Sequence, residues 1–120
     1  MNNHLDPAKW GALLTGFSKR NRFRRARFET FRGAEVVEEE QEARLETITL
    51  TLNGAGAPRV TVTRLDNSNA ARAEIITTIP HVRRISPQLD VDGSEDGLEI
   101  EDMSGVLSLL RLESKVDGAS

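Results

Sequence analysis

The chain reads as an α+β protein, one N-terminal helix packed on an antiparallel β-meander or partial barrel of about six to seven strands. Three observations predict this. A single helical stripe occupies the first twenty residues, and alternating apolar and polar runs fill most of the chain after Arg24. All five aromatic residues, Trp10, Phe17, Phe23, Phe28 and Phe31, fall within the first 31 positions. The helix and the strand after it therefore carry the bulkiest core material.

Asp6-Pro7 opens the helix: Asp can accept from the free N–H groups of a first turn, and Pro gives up a donor that had no partner there. Leu5 and Trp10 stand at the positions of a hydrophobic staple. Trp10, Leu13, Leu14 and Phe17 then form one apolar stripe on a helix running to about Arg20. Lys19 and Arg20 suit the dipole of the last turn, and Asn21 is the expected stop. Gly11 and Gly16 each weaken the helix by about 1 kcal/mol relative to Ala, so it needs a surface to dock on.

From Arg24 the period changes to two. Ala26, Phe28 and Thr30 point one way and Arg25, Arg27 and Glu29 the other, the pattern of a half-buried strand. The acidic run Glu35–Glu42 reads as an extended edge segment, with a short acidic helix as the alternative. In Leu45–Leu52, Ile48, Leu50 and Leu52 alternate with three threonines. Asn53-Gly54 opens a loop ending at Pro58, and Val60–Leu65 returns, which predicts a hairpin. Asp66–Arg72 is a polar loop and Ile75–Ile79 the next strand, closed by Pro80. Val82–Val91 holds one strand or two short ones, with Pro87 at an edge or bulge. Leu98–Glu101 and Val106–Leu112 pair as a last hairpin across Asp102–Gly105. Apolar residues on both faces of Val106–Leu112 make it the candidate for the most buried strand. The expected organisation is one domain over residues 1–113 and a flexible tail over 114–120.

Certain spaced residues also resemble a family of short bacterial proteins catalogued only as a domain of unknown function. They are Trp10, Leu14, Phe17 and Asn21, then Arg24-Arg25-Ala26-Arg27-Phe28-Glu29, Ile79-Pro80, Leu98-Glu99-Ile100 and Gly105. The Glu35–Glu42 run and the Gly54–Pro58 loop depart from that pattern. The resemblance implies no activity, cofactor or functional residue.

Composition removes several function classes. Without cysteine there is no thiolate catalysis, disulfide or cysteine metal site. No apolar run approaches the roughly 18 residues of a membrane span, and the N-terminus lacks a signal-peptide pattern, so cytoplasmic residence and no membrane partner are expected. His81 could serve as a base with Ser86 and Asp90 nearby, but no nucleophile elbow accompanies them. Asp90, Asp92, Ser94, Asp96 and Glu101 echo the spacing of a calcium loop, yet Glu95 stands where its glycine is required; a solvated hairpin loop explains the same residues. Asn53–Pro58 leads into a strand rather than a helix, so it is a hairpin loop and not a phosphate cradle. No cofactor and no enzymatic activity are expected.

What remains is charge. Met1–Arg32 carries eight basic and two acidic residues, a net +6, while Gly33–Ser120 carries eight basic and seventeen acidic, a net −9. Lys19, Arg20, Arg22, Arg24, Arg25 and Arg27 are the candidate partner-binding residues, with an acidic protein surface or self-association as target. Nucleic acid is the second reading, ranked lower because the pI is near 5.4 and Phe23 and Phe28 read as core rather than as base platforms. A small enzyme with an unrecognised site is the third.

Overall fold

The computed structural model describes residues 7–33, 35–39, 43–66 and 73–113. The expected cap Asp6, the staple residue Leu5 that would meet Trp10, His4, the end of the acidic run, most of the polar loop at 66–72 and the tail at 114–120 lie outside them.

A 3-10 turn at Pro7–Lys9 leads into α1, at Trp10–Arg20, the one α-helix among the described residues. The α-helical hydrogen bonding begins later than the Asp6-Pro7 signal predicts, with Lys9 at the N-cap and no side-chain cap bond. Proline's fixed φ suits the tighter turn as well as the first α-helical position. Trp10, Leu14 and Phe17 are buried and Leu13 packs beside them, so the stripe is the docking face its spacing predicts.

Eight antiparallel strands come after it: β1 (Arg25–Arg32), β2 (Glu35–Glu39), β3 (Ala43–Thr51), β4 (Arg59–Asp66), β5 (Ala73–Ile79), β6 (Val82–Leu89), β7 (Glu95–Asp102) and β8 (Val106–Leu112). This exceeds the six to seven expected and makes the described residues mainly β with one helix. The acidic segment is the extra strand, extended as the edge reading has it. β6 runs unbroken through Pro87, which it tolerates because β6 is an edge.

The order across the sheet is β5-β4-β3-β1-β8-β7-β6, with β2 also beside β1. Two three-stranded meanders, β3-β4-β5 and β6-β7-β8, are thus joined through β1. Laid flat, the outermost strands of this path would stand roughly 29 Å apart at ordinary strand spacing. Only Pro80 and His81 separate β5 from β6, a reach of about 11 Å. The sheet must therefore curl until its ends meet at that corner. His81 N–H donates to the Gly56 carbonyl (2.8 Å), Val82 N–H to Pro58 (3.0 Å) and Met103 N–H to His81 (2.8 Å), which pin it. β5 and β6 do not pair along their length, so the barrel stays open.

The concave face holds one core in which Trp10, Leu14 and Phe17 meet Ala26 and Phe28 of β1, Leu45 of β3, Val60 of β4 and Leu98 of β7. Leu45 and Ile48 are both buried although three residues apart, because a bulge between Leu45 and Thr47 resets the alternation. Leu52 falls past the strand and is exposed. β8 lies mid-sheet, but its outer-face Leu107 and Leu109 are only half-buried. β4, by contrast, buries Arg64 and Leu65 on opposite faces.

Candidate functional site

The six basic residues predicted to face a partner separate into three pairs. Asn21 ends α1: its N–H and its Nδ2 both donate to the Phe17 carbonyl, at 3.1 and 2.9 Å. It is buried, and Nδ2 also reaches Glu95 Oε1 (3.0 Å) while Oδ1 accepts from Arg24 Nη1 (2.8 Å). Arg20 grips both oxygens of the same Glu95, through Nε (2.9 Å) and Nη2 (2.7 Å). That hydrogen bond, against the opposing effect of burial and aided by the charge of Glu95, holds the Arg20 guanidinium charged even more firmly than usual. Arg24 donates to the backbone carbonyls of Glu95 (2.8 Å) and Glu113. Burial lowers the pKa of Arg24, while Asp96, Glu95 and Glu113 pull the other way. Arg20 and Arg24 thus tie the helix end and the start of β1 to β7 and the end of β8.

Arg25 and Arg27 point to the convex face and are exposed. Arg25 is directly opposite Arg44 of β3, and Arg27 directly opposite Arg111 of β8. Both of those neighbours are exposed too, so four arginines from three strands share one outer surface. Arg44 donates to the Phe23 carbonyl (3.0 Å), and Arg111 pairs with Glu29, two residues beyond Arg27 on the same face. Lys19 and Arg22 are exposed at the rim.

Phe23 is not core. It adopts a left-handed φ of 69° as the chain turns from α1 into β1, its N–H bonds the Leu45 carbonyl (2.6 Å), and the residue is 49% exposed. The Arg22 guanidinium sits 4.7 Å from the ring centre. Phe28 is buried as expected.

Sequence reasoning missed Arg64. Val60, Val62 and Arg64 share the concave face of β4, so the guanidinium lies fully buried in the core. Nη1 donates to the Ala26 carbonyl (3.1 Å), and the cation lies 5.2 Å from the centre of the Phe28 ring. The period of two that marks β4 as a strand already carries this signal.

The other constellations do not assemble. With β6 a continuous strand, His81 and Asp90 are separated by roughly 25–30 Å and His81 and Ser86 by roughly 16 Å. Asp90 and Asp92 accept hydrogen bonds from their own turn, from Val91 N–H (2.7 Å) and from the N–H (2.9 Å) and hydroxyl (2.6 Å) of Ser94. Glu95 and Glu101 are held by arginines, so the segment closes a hairpin. No group of three or more His, Asp or Glu placed to hold a metal occurs among the described residues. Nor is any helix among them long and apolar enough to cross a membrane.

Two carboxylates give the fold an acid limit. The hydrogen bond from Arg83 (2.8 Å), opposed by burial and aided by Arg84, holds Glu101 below its ordinary 4.5. Burial pushes Asp102 up, but the Ser104 hydroxyl and the backbone N–H groups of Val106, Ser104 and Gly105 outweigh it, leaving the group below 3.8. Groups depressed on folding stabilise above their unfolded pKa, and that contribution is lost as pH falls through the folded value. Thermal melting of the parent should therefore begin to drop below about pH 4.5, and Asp102→Asn should make the loss below about pH 4 shallower. Identical melting profiles for parent and variant would contradict this role for Asp102.

Compared with protein-family models, with curated proteins and with solved structures, the chain matches none.

Proposed function

We propose that the protein is a small, non-enzymatic, cytoplasmic interaction module that docks an acidic protein surface on the convex face of β3, β1 and β8. One observation carries this reading: Arg25 and Arg44, and Arg27 and Arg111, lie directly opposite one another in exposed positions. Like charges set across a strand pair cost a sheet stability, which an acidic surface docked on this face would offset. A planar, permanently charged guanidinium is suited to gripping carboxylates through two parallel hydrogen bonds. Within this row Glu29 engages Arg111 and Arg44 donates to the Phe23 carbonyl. Arg20 and Arg24 leave the proposed contact set, since both are committed to Glu95 and its neighbours.

The direct test reverses Arg25 and Arg27 to Glu. The double variant should keep its melting temperature within a few degrees while slowing association with its acidic partner, mostly through the on-rate. The partner itself is found by capture from the native host with and without nuclease. Retained partners with unchanged rates would reduce the arginines to solvated surface.

A second reading, sequence-independent binding of single-stranded nucleic acid, is favoured by Phe23 alone, an exposed ring beside Arg22 and near Arg44. Capture that disappears with nuclease, together with oligonucleotide binding lost on Phe23→Ala, would favour it over the protein partner.

A further inference from the structure

We propose that a second copy of this chain pairs antiparallel with the edge strand β5, so that two sheets run together across a two-fold axis. Among the described residues β5 has a ladder partner on one side only, β4. An unpaired edge is a template for another strand, and sheets protect such edges with charge, Pro, bulges or short length. The other edges show those protections. β6 carries Pro87, Arg83 and Arg84 and has two register shifts against β7. β2 has five residues, three of them Glu, and a register shift against β1. β5, Ala73-Glu-Ile-Ile-Thr-Thr-Ile79, has no Pro, no cation and no register shift against β4.

The surface behind this edge points the same way. Thr47 lies opposite Thr63 and Thr49 opposite Thr61, and Thr63 opposite Ile76 on β5. Around Ile76 the convex face is therefore hydroxyl and methyl groups, with charge confined to the row Arg44–Leu65–Glu74 at one end, in contrast to the arginine and glutamate rows on β1, β8 and β7. Depletion of charge is what marks the centre of an interface. Ile76 is 59% exposed on the convex side, and Ile75 is only half-buried on the concave one, so both faces of the edge keep apolar surface that a new strand would cover.

Charge selects a second copy as the occupant. Full overlap of the seven residues requires pairing centred on Ile76, which sets Ile76 against its own counterpart, Glu74 against Thr78 and Ala73 against Ile79. The strand's one charge never meets itself. The same operation on β2 would set Glu35 against Glu39, and on β6 it would meet the missing N–H of Pro87. A pairing that satisfies itself under a two-fold closes at the dimer. It uses the β5 edge, which carries none of the four arginines, and stands without that reading.

The test is the mass of the full chain in solution, by sedimentation equilibrium from micromolar to millimolar concentration, in low and in molar salt. The parent should be a dimer whose dissociation constant changes little with salt. Ile76→Lys, at an exposed position, should keep its melting temperature and raise that constant about tenfold or more. Register is tested separately at exposed Thr78: Thr78→Lys faces Glu74 of the second copy and should lower the constant about two- to fivefold, and Thr78→Glu should raise it by a similar factor. A parent monomeric throughout, a dimer that molar salt dissolves, a dimer unmoved by Ile76→Lys, or Thr78 variants that shift in the same direction would each overturn the proposal.

Discussion

Trp10→Ala should cost about 3–5 kcal/mol in chemical denaturation, enough to remove about a fifth or more of the stability of an ordinary small domain. The indole is 2% exposed and belongs to the same cluster as Leu14, Phe17 and the concave faces of β1, β3 and β4. α1 has eleven residues, below the length at which an isolated helix holds in water, and two of them are Gly. It also lacks a side-chain cap at Lys9. Its structure therefore depends on what it buries, and Trp10 is the largest side chain it buries. The loss should appear both in the denaturation midpoint and in the helical part of the circular dichroism spectrum. A variant within about 1 kcal/mol of the parent would mean that the helix holds its place without the indole.

The same residue offers a sharper comparison. Trp10 Nε1 is buried with no hydrogen-bond partner among the described residues. An orphaned buried donor costs about 1–3 kcal/mol, so the site does not need an indole in particular. Trp10→Phe removes that donor along with part of the ring, and the two effects oppose. Its net cost should stay within about 1 kcal/mol, well apart from the alanine variant.

How much of the fold is legible in the sequence depends on the range of the interactions. The α1 stripe and the hairpins β3–β4 and β7–β8 are local, set by period and turn chemistry within about twenty residues, and they stand where the spacing predicts. The placement of β1 between β3 and β8 is not local. That placement sets Arg44 beside Arg25 and Arg111 beside Arg27, so two of the four convex-face arginines could not be read from the basic segment. For the same reason Arg20 and Arg24 looked available: Glu95, which holds both, lies 75 and 71 residues further along the chain. Phe23 was lost differently, through a left-handed turn that composition does not announce. Arg64 was readable from the phase of Val60 and Val62, but the habit of sending charge to the solvent face hid it.

Arg64→Ala is expected to be as damaging as Trp10→Ala, about 3–5 kcal/mol, although an arginine is the residue least expected to matter to a core. Its side chain is completely buried on β4, donates to the Ala26 carbonyl at 3.1 Å and lies over the Phe28 ring. Truncation would take a donor from β1, remove the cation from the ring face and leave a void between β4 and β1 that a curled sheet can close only in part. Holding a guanidinium out of water is itself costly, so the residue is a poor stabiliser compared with an apolar side chain of similar length. Arg64→Met should therefore lose less than the alanine variant by about 2 kcal/mol, because both remove the desolvated charge but only Met refills the space. If Arg64→Ala melts like the parent, the interior has closed over the site and the guanidinium contributes nothing to holding β1 on β4. If instead Met and Ala lose equally, volume is not the deciding quantity, and it is the charge on the Phe28 face and at the Ala26 carbonyl that the fold requires.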